Sequence, residues 1–289
     1  MTVNGRPARL GTRFEFDRTQ LTEPFLKIVE EHRKLRAPSR WLWLAEYRAI
    51  WELGFSVAVA PLMLAAPRGD GHPVLVLPGF LADDMSTQVL RAYITALGYD
   101  THGWEMGRNY GGLLRMRASL RGRVRALRQA TGRKVSIVGW SLGGVYARML
   151  ALDTPQDIRS VISLGSPFSR DPDASNITNL YEFLTGEGPT PQEKRTGLVP
   201  GEFDRLAGDL PMPATSIYSR SDGVVNWRCC LLRRNERAEN IEVIGASHLG
   251  LGFNAAVGWA IADRLAQDEG TFAPFRRGGP FALGYGRPR

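Results

Sequence analysis

Val135-Ser136-Ile137-Val138-Gly139-Trp140-Ser141-Leu142-Gly143-Gly144 is the stretch on which the fold turns. A short strand-like run, residues 135–138, leads into G-x-S-x-G, and a helix-like run follows over residues 142–152. A sharp strand-to-helix turn forces its central residue into a strained backbone conformation. Small residues two before and two after it leave the chain room to fold back. Gly139 and Gly143 occupy those places, so the Ser141 hydroxyl is lifted clear of the strand and reads as a nucleophile. The Leu142 backbone N–H opens the helix and points at the same space. A structural serine in a tight turn is the plain alternative.

A serine hydroxyl is too weakly acidic to attack a carbonyl unaided; it needs a base, and the base an orienting acid. The chain has four histidines, and His32, His72 and His102 all precede the serine. Only His248 follows it, in the small-residue loop Gly245-Ala246-Ser247-His248-Leu249-Gly250, just past a strand-like run at 241–244. For the acid, Asp222 lies in Ser219-Arg220-Ser221-Asp222-Gly223, a turn composition after the strand-like run 215–218. Asp153, Asp157 and Asp204 are fallbacks in less suitable contexts. The second oxyanion donor belongs after the first long apolar strand, in Leu77-Pro78-Gly79-Phe80. Pro78 has no N–H, so the Phe80 amide is assigned, with Leu142 as its partner.

Outward from this centre, apolar strand-like runs alternate with helical stripes. Residues 74–77 and 99–104 read as strands, and residues 86–97 and 113–127 as helices. Residues 161–164 read as a further strand, and residues 255–265 as a last helix. The alternation predicts an α/β class with a mostly parallel, doubly wound sheet. Arg117, Arg121, Arg125 and Arg128 read as a solvated helix face, with a phosphate patch as the alternative. Residues 168–210 break the rhythm with Asp, Pro, Gly, Thr and Asn and two short helical runs, 180–184 and 203–206. An insertion this long between core strands predicts a lid or cap.

Before the first strand, residues 21–67 are helical and aromatic. Trp43, Tyr47, Trp51 and Phe55 step by four, with Glu46, Arg48 and Glu52 on another side. This predicts a helix docking its ring stripe on the core. The alternative is an interfacial helix at a membrane surface or a substrate entrance. Residues 1–20 and 271–289 read as a flexible arm and a flexible basic tail, around a main α/β body at 68–270.

The net charge of +8, from 37 basic and 29 acidic residues, sits mostly in those two ends. That distribution argues against a nucleic-acid groove. The two cysteines, Cys229 and Cys230, are adjacent; they cannot staple distant segments and lack metal-ligand spacing, which fits a reducing compartment. No short apolar run follows Met1, and the apolar run 53–66 is broken by Pro61 and shorter than the about 20 residues of a spanning helix. A cytoplasmic location is expected, peripheral membrane contact through the aromatic helix being the alternative.

These motifs resemble the α/β-hydrolase superfamily. The resemblance covers roughly residues 72–264. A Val74-Leu75-Val76-Leu77-Pro78-Gly79-Phe80 opening is similar to the bacterial lipase and esterase branch, and Gly107-Arg108-Asn109-Tyr110-Gly111 to enzymes related to triacylglycerol lipases and GPI-inositol deacylases. The chain departs from the usual lipase pattern in having Pro78-Gly79 where His-Gly is common. The order Ser141, Asp222, His248 is the superfamily's triad order. The resemblance implies a carboxylic ester hydrolase working without cofactor or metal on a small-molecule or lipid ester. An acyltransferase, a thioesterase or a non-catalytic binding module on the same fold are the alternatives.

Overall fold

Every residue of the first long strand is buried, which is what a strand covered on both faces requires. The computed structural model describes residues 37–168 and 202–287, all within one compact unit, Leu35–Arg289. Its strands are β1 (Pro73–Leu77), β2 (Asp100–His102), β3 (Val135–Trp140), β4 (Ile158–Leu164), β5 (Ala214–Tyr218) and β6 (Ala238–Glu242). They form one six-stranded sheet in the order β2-β1-β3-β4-β5-β6, parallel at every pairing.

Helices cover both faces. One layer packs α4 (Gln88–Ala96) and α8 (Ala255–Leu265) on Val74, Val76, Val138, Ile162 and Ile217. The other packs α5 (Leu113–Thr131) and α6 (Leu142–Asp153) on Leu75, Leu77, Ile137 and Val161. The predicted doubly wound α/β fold is therefore present. Strand order reverses at β1, so the connections leaving β1 and β3 diverge to opposite faces at their carboxyl ends, the place where such sheets bind ligands. Leu77 pairs with Gly139 there, immediately before the Phe80 loop and the Ser141 turn.

Before the sheet come α1 (Arg40–Leu44), a 3₁₀ turn (Ala45–Arg48), α2 (Ala49–Ala58) and α3 (Ala60–Met63). Here the expected packing is inverted. The ring stripe faces outward: Trp41 is 80%, Tyr47 73% and Trp51 82% exposed, and Trp43 and Phe55 are exposed too. Glu46 instead is buried, at 5% exposure. Periodicity identifies a two-sided helix, but not which side faces inward. The charged side wins because it finds unpaired backbone N–H groups to serve, as described below.

Two further expectations are corrected. The last strand runs over Ala238–Glu242 rather than 241–244. Its polar start is tolerated because Glu239 pairs with Arg264 and accepts from the Phe275 N–H, and Asn240 bonds to the Leu232 backbone at both ends. The C-terminal segment, expected to be flexible from 271, is packed through Gly286. Phe275, Phe281 and Tyr285 enter the core beside α8, and the Tyr285 hydroxyl donates to Ala256 O at 2.7 Å. Its arginines suggested a solvated tail, but these three rings bury enough apolar surface to hold it. A short helix, α7 (Glu202–Ala207), is seen where 203–206 was expected. The arm at 1–20, the start of the aromatic segment, His32, the helix at 180–184 and most of the cap insertion lie outside the described residues.

Candidate active site

Ser141 closes β3 and precedes α6 with φ 54° and ψ −120°, a region that L-residues with a Cβ rarely enter. The turn is possible only because its neighbours are glycine. A Cβ on Gly139 would run into the backbone of Gly143 and Gly144, and one on Gly143 into the Leu77 and Pro78 carbonyls. Gly144 has the same constraint against Ser166. Leu142 begins α6, so its N–H is one of the first-turn donors that have no acceptor within the helix.

Asp222 lies in the loop after β5. Its Oδ1 accepts the Val224 and Val225 N–H groups at 2.8 and 2.7 Å, which fixes the carboxylate, while Oδ2 lies 2.6 Å from His248 Nδ1. A carboxylate only accepts, so Nδ1 carries the proton and Nε2 is left as the basic nitrogen. Burial of the imidazole lowers its pKa, but Asp222, by charge and hydrogen bond, and the charge of Glu46 more than offset this and hold it above the ordinary value.

Three contacts bring this pair to the serine's edge of the sheet. Trp140 Nε1 donates to the His248 carbonyl at 3.1 Å, and Ser141 N donates to Leu164 O at 2.8 Å. The next residue, Gly165, sits at φ 56°, and a Cβ there would lie 3.1 Å from both Asp222 Oδ2 and His248 Nδ1. Ser141, Asp222 and His248 are all buried. The serine hydroxyl makes no hydrogen bond to the imidazole; such bonds in unliganded sites often tighten only with substrate.

The Phe80 loop faces the same turn: a Cβ on Gly79 would lie 3.2 Å from Ser141 Cβ. Leu81 is held at φ 59°, a second strained residue beside the first. The fully buried Asn109 holds this loop. Its side-chain amide donates to Pro78 O at 3.0 Å, and its backbone O accepts the Leu81 N–H at 2.7 Å and its N–H donates to Ala82 O at 2.8 Å. Its Oδ1 accepts the Gly111 N–H and the Tyr146 hydroxyl, both at 3.0 Å. Asn109 stood in a quoted motif, yet nothing in its sequence context announces this task.

The remaining candidates are elsewhere. Asp153 is taken by Arg117 and Arg205 at the far end of α6, Asp157 precedes β4 at the amino end of the strands, and Asp204 is exposed on α7. His72 is buried at the start of β1 between Asp70 and Ser136, and His102 lies on the edge strand β2. Of the arginine face, Arg117 is paired with Asp153, not aligned on an empty anion site. Among the described residues no group of three or more His, Cys, Asp or Glu side chains is placed to hold a metal ion, and no helix is long and apolar enough to cross a membrane. Cys229 and Cys230 form no disulfide and are buried, and burial pushes the Cys230 thiol well up.

Sequence reasoning missed the polar groups that reach this site from the N-terminal helices. Glu46 Oε1 accepts the N–H groups of Gly223 (2.7 Å) and His248 (3.0 Å), and Oε2 that of Leu249 (2.9 Å). Glu52 accepts the Ser247 N–H at 2.8 Å and the Asn254 side-chain amide at 2.7 Å. Arg48 donates to the carbonyls of Ser221 (2.5 Å), Gly245 and Ala246 (both 3.1 Å).

Comparison with known proteins bears on the fold. A family model described as alpha/beta hydrolase fold matches residues 98–186, which include the Ser141 turn. Among solved structures, the chain is similar to the Bacillus licheniformis lipase BlEst2 at 16% identity and a TM-score of 0.53, covering 70% of this chain and 94% of that one. It is similar at 16% identity and a TM-score of 0.50 to the 2-hydroxy-6-oxo-6-phenylhexa-2,4-dienoate hydrolase of Rhodococcus sp. strain RHA1, covering 71% of this chain and 92% of that one. Aspergillus fumigatus lipase B gives the same identity and score over 69% of this chain and 53% of that one. No curated protein sequence matches. The chain has the α/β-hydrolase fold, the class to which its motifs pointed.

Proposed function

We propose that this protein is a serine hydrolase that cleaves carboxylic esters, of the esterase and lipase kind, through an acyl-enzyme. One observation carries the reading: a serine on a strained strand-to-helix turn shares a sheet edge with a buried histidine already oriented by a carboxylate. In the first half-reaction His248 Nε2 takes the Ser141 proton as Oγ adds to the ester carbonyl. Asp222 keeps the other ring nitrogen protonated and stabilises the imidazolium. The Phe80 and Leu142 amides face the developing oxyanion. Collapse of the tetrahedral intermediate expels the alcohol, which takes the proton from His248; water, activated in turn by His248, then releases the acid. The lipases among the structural neighbours support an ester as substrate, and the outward rings of Trp41, Trp43, Tyr47, Trp51 and Phe55 support work at a lipid–water boundary.

The test is p-nitrophenyl ester hydrolysis over a range of acyl lengths. Replacing Ser141 with Ala should abolish turnover and fluorophosphonate labelling while leaving the melting temperature within a few degrees. General-base assistance alone is worth about 10²–10⁴-fold. Ester hydrolysis retained by the alanine variant would overturn the assignment.

A further inference from the structure

A carboxylate buried beside a histidine–aspartate pair has a large desolvation cost unless something specific holds it. Glu46 is held by backbone amides from two loops, one carrying Asp222 and the other His248. We propose that Glu46 is a positioning residue of the hydrolytic site: its carboxylate ties the Asp222 loop to the His248 loop, making the N-terminal helices part of the catalytic apparatus. This rests on the hydrolase reading above.

The two loops are shaped to receive these helices. A Cβ on Gly223 would strike the Leu42 carbonyl and lie 2.7 Å from Trp43 N, so only glycine lets α1 close on the turn beside Asp222. A Cβ on Gly250 would lie 2.5 Å from Glu52 Cδ, so the histidine loop is bare where α2 meets it. The charged bonds alternate in sign. Glu46 and Glu52 accept from N–H groups of residues 223, 247, 248 and 249, and Arg48 donates to carbonyls of residues 221, 245 and 246. Bonds with one ionised partner are about twice as strong as neutral ones, so they suit the task of fixing two flexible segments. The backbone on both sides of the reacting pair is thus set by one short stretch of helix.

The charges facing His248 are Asp222 on its own sheet edge and Glu46 from the 3₁₀ turn, with Glu52 and the opposing Arg48 acting one residue or more back along its loop. Neutral His248 is the active form, so whatever favours the imidazolium moves the acid limb of activity to higher pH. Glu46→Gln removes a negative charge that favours it and turns an amide N–H₂ group on one of the backbone donors. The His248 titration, followed by histidine NMR, should move to lower pH. The acid limb of kcat should move with it, and kcat at the plateau should fall up to about 10²-fold, the effect of roughly 1 Å of misplacement, with KM nearly constant. A purely structural prop would lower kcat equally at all pH and leave the titration where it was. An unmoved titration in a folded Glu46→Gln protein overturns the proposal.

If the variant does not fold, amide hydrogen exchange on the unmodified protein decides. The Gly223, His248 and Leu249 amides should exchange slowly and with a common rate, and fast or unrelated exchange overturns the clamp. Histidine NMR in the Ser141→Ala background needs no turnover, so a failed hydrolase reading and a failed clamp are told apart.

Discussion

At the scale of single residues, the site depends on positions where a side chain is excluded as much as on those where one acts. Gly165 is the sharpest case outside the elbow. It follows Leu164, whose carbonyl takes the Ser141 N–H, and its φ of 56° is one that only glycine adopts without strain. A methyl group there meets Leu251 Cδ1 at 2.7 Å and both partners of the Asp222–His248 bond at 3.1 Å. Gly165→Ala should therefore separate the pair while the sheet stays intact. The expected result is a loss in kcat of about 10²-fold, from misplacement on the order of 1 Å, against a stability cost of only about 1–3 kcal/mol from the left-handed backbone and the crowding. Steady-state kinetics beside thermal melting separates the two effects, and an unchanged kcat would show that the imidazole tolerates the displacement. None of this is visible in the sequence. Gly165 is followed by Ser166 and Pro167, an ordinary turn composition, and the contact it permits joins residues 57 and 83 positions away.

At the scale of elements, legibility followed the kind of information each segment carries. The strands β1, β3 and β5 were readable as short apolar runs because they are covered on both faces, the helix α5 because burial of one side imposes a period on it, and the G-x-S-x-G turn because its sterics demand particular residues. The candidate order Ser141, Asp222, His248 could be proposed because only one histidine follows the serine. What stayed hidden was which side of the N-terminal helices faces inward. Glu46, Arg48 and Glu52 resemble a solvated face until the amides and carbonyls that they meet are known. Asn109 was hidden for the same reason: its partners are backbone atoms, which leave no trace in residue type. The inversion makes a direct prediction. A buried tryptophan cut to serine costs about 3–5 kcal/mol, whereas an exposed one costs within about 0.5 kcal/mol. Trp51, at 82% exposure, should behave as the second kind on chemical denaturation. If the outward rings serve a lipid boundary, Trp51→Ser should also weaken co-sedimentation with vesicles while activity on a soluble short-chain ester is kept. A large loss of stability would place the ring in the core.

At the scale of the whole molecule, two histidines respond to acid in opposite senses. His248 titrates above its ordinary value in the fold, so the folded state binds its proton more readily than the unfolded chain does. Its contribution to stability is full below the unfolded pKa of 6.5 and is lost as pH rises through the higher folded value. His72 is the reverse. It is fully buried at the head of β1, where burial outweighs the neighbouring Asp70 and brings its pKa down to about 4. Between pH 6.5 and about 4 the unfolded chain takes up a proton there that the folded protein refuses. Stability is therefore retained above 6.5 and declines as pH falls, by about 3 kcal/mol over the full interval at 1.36 kcal/mol per pH unit. On the proposed mechanism activity needs neutral His248, whose pKa is held above 6.5, and the fold needs neutral His72, whose pKa lies near 4. On acidification, turnover should fade first and the fold weaken afterwards. Melting temperatures from pH 8 to pH 4, read beside kcat/KM on the same samples, check the order. Substituting His72 with Asn should flatten the acid side of the melting curve whatever it does to the plateau, because the slope reports the proton and the plateau reports the packing. The same acid slope in the variant would mean that other groups, not the histidine at the head of the first strand, govern the acid response.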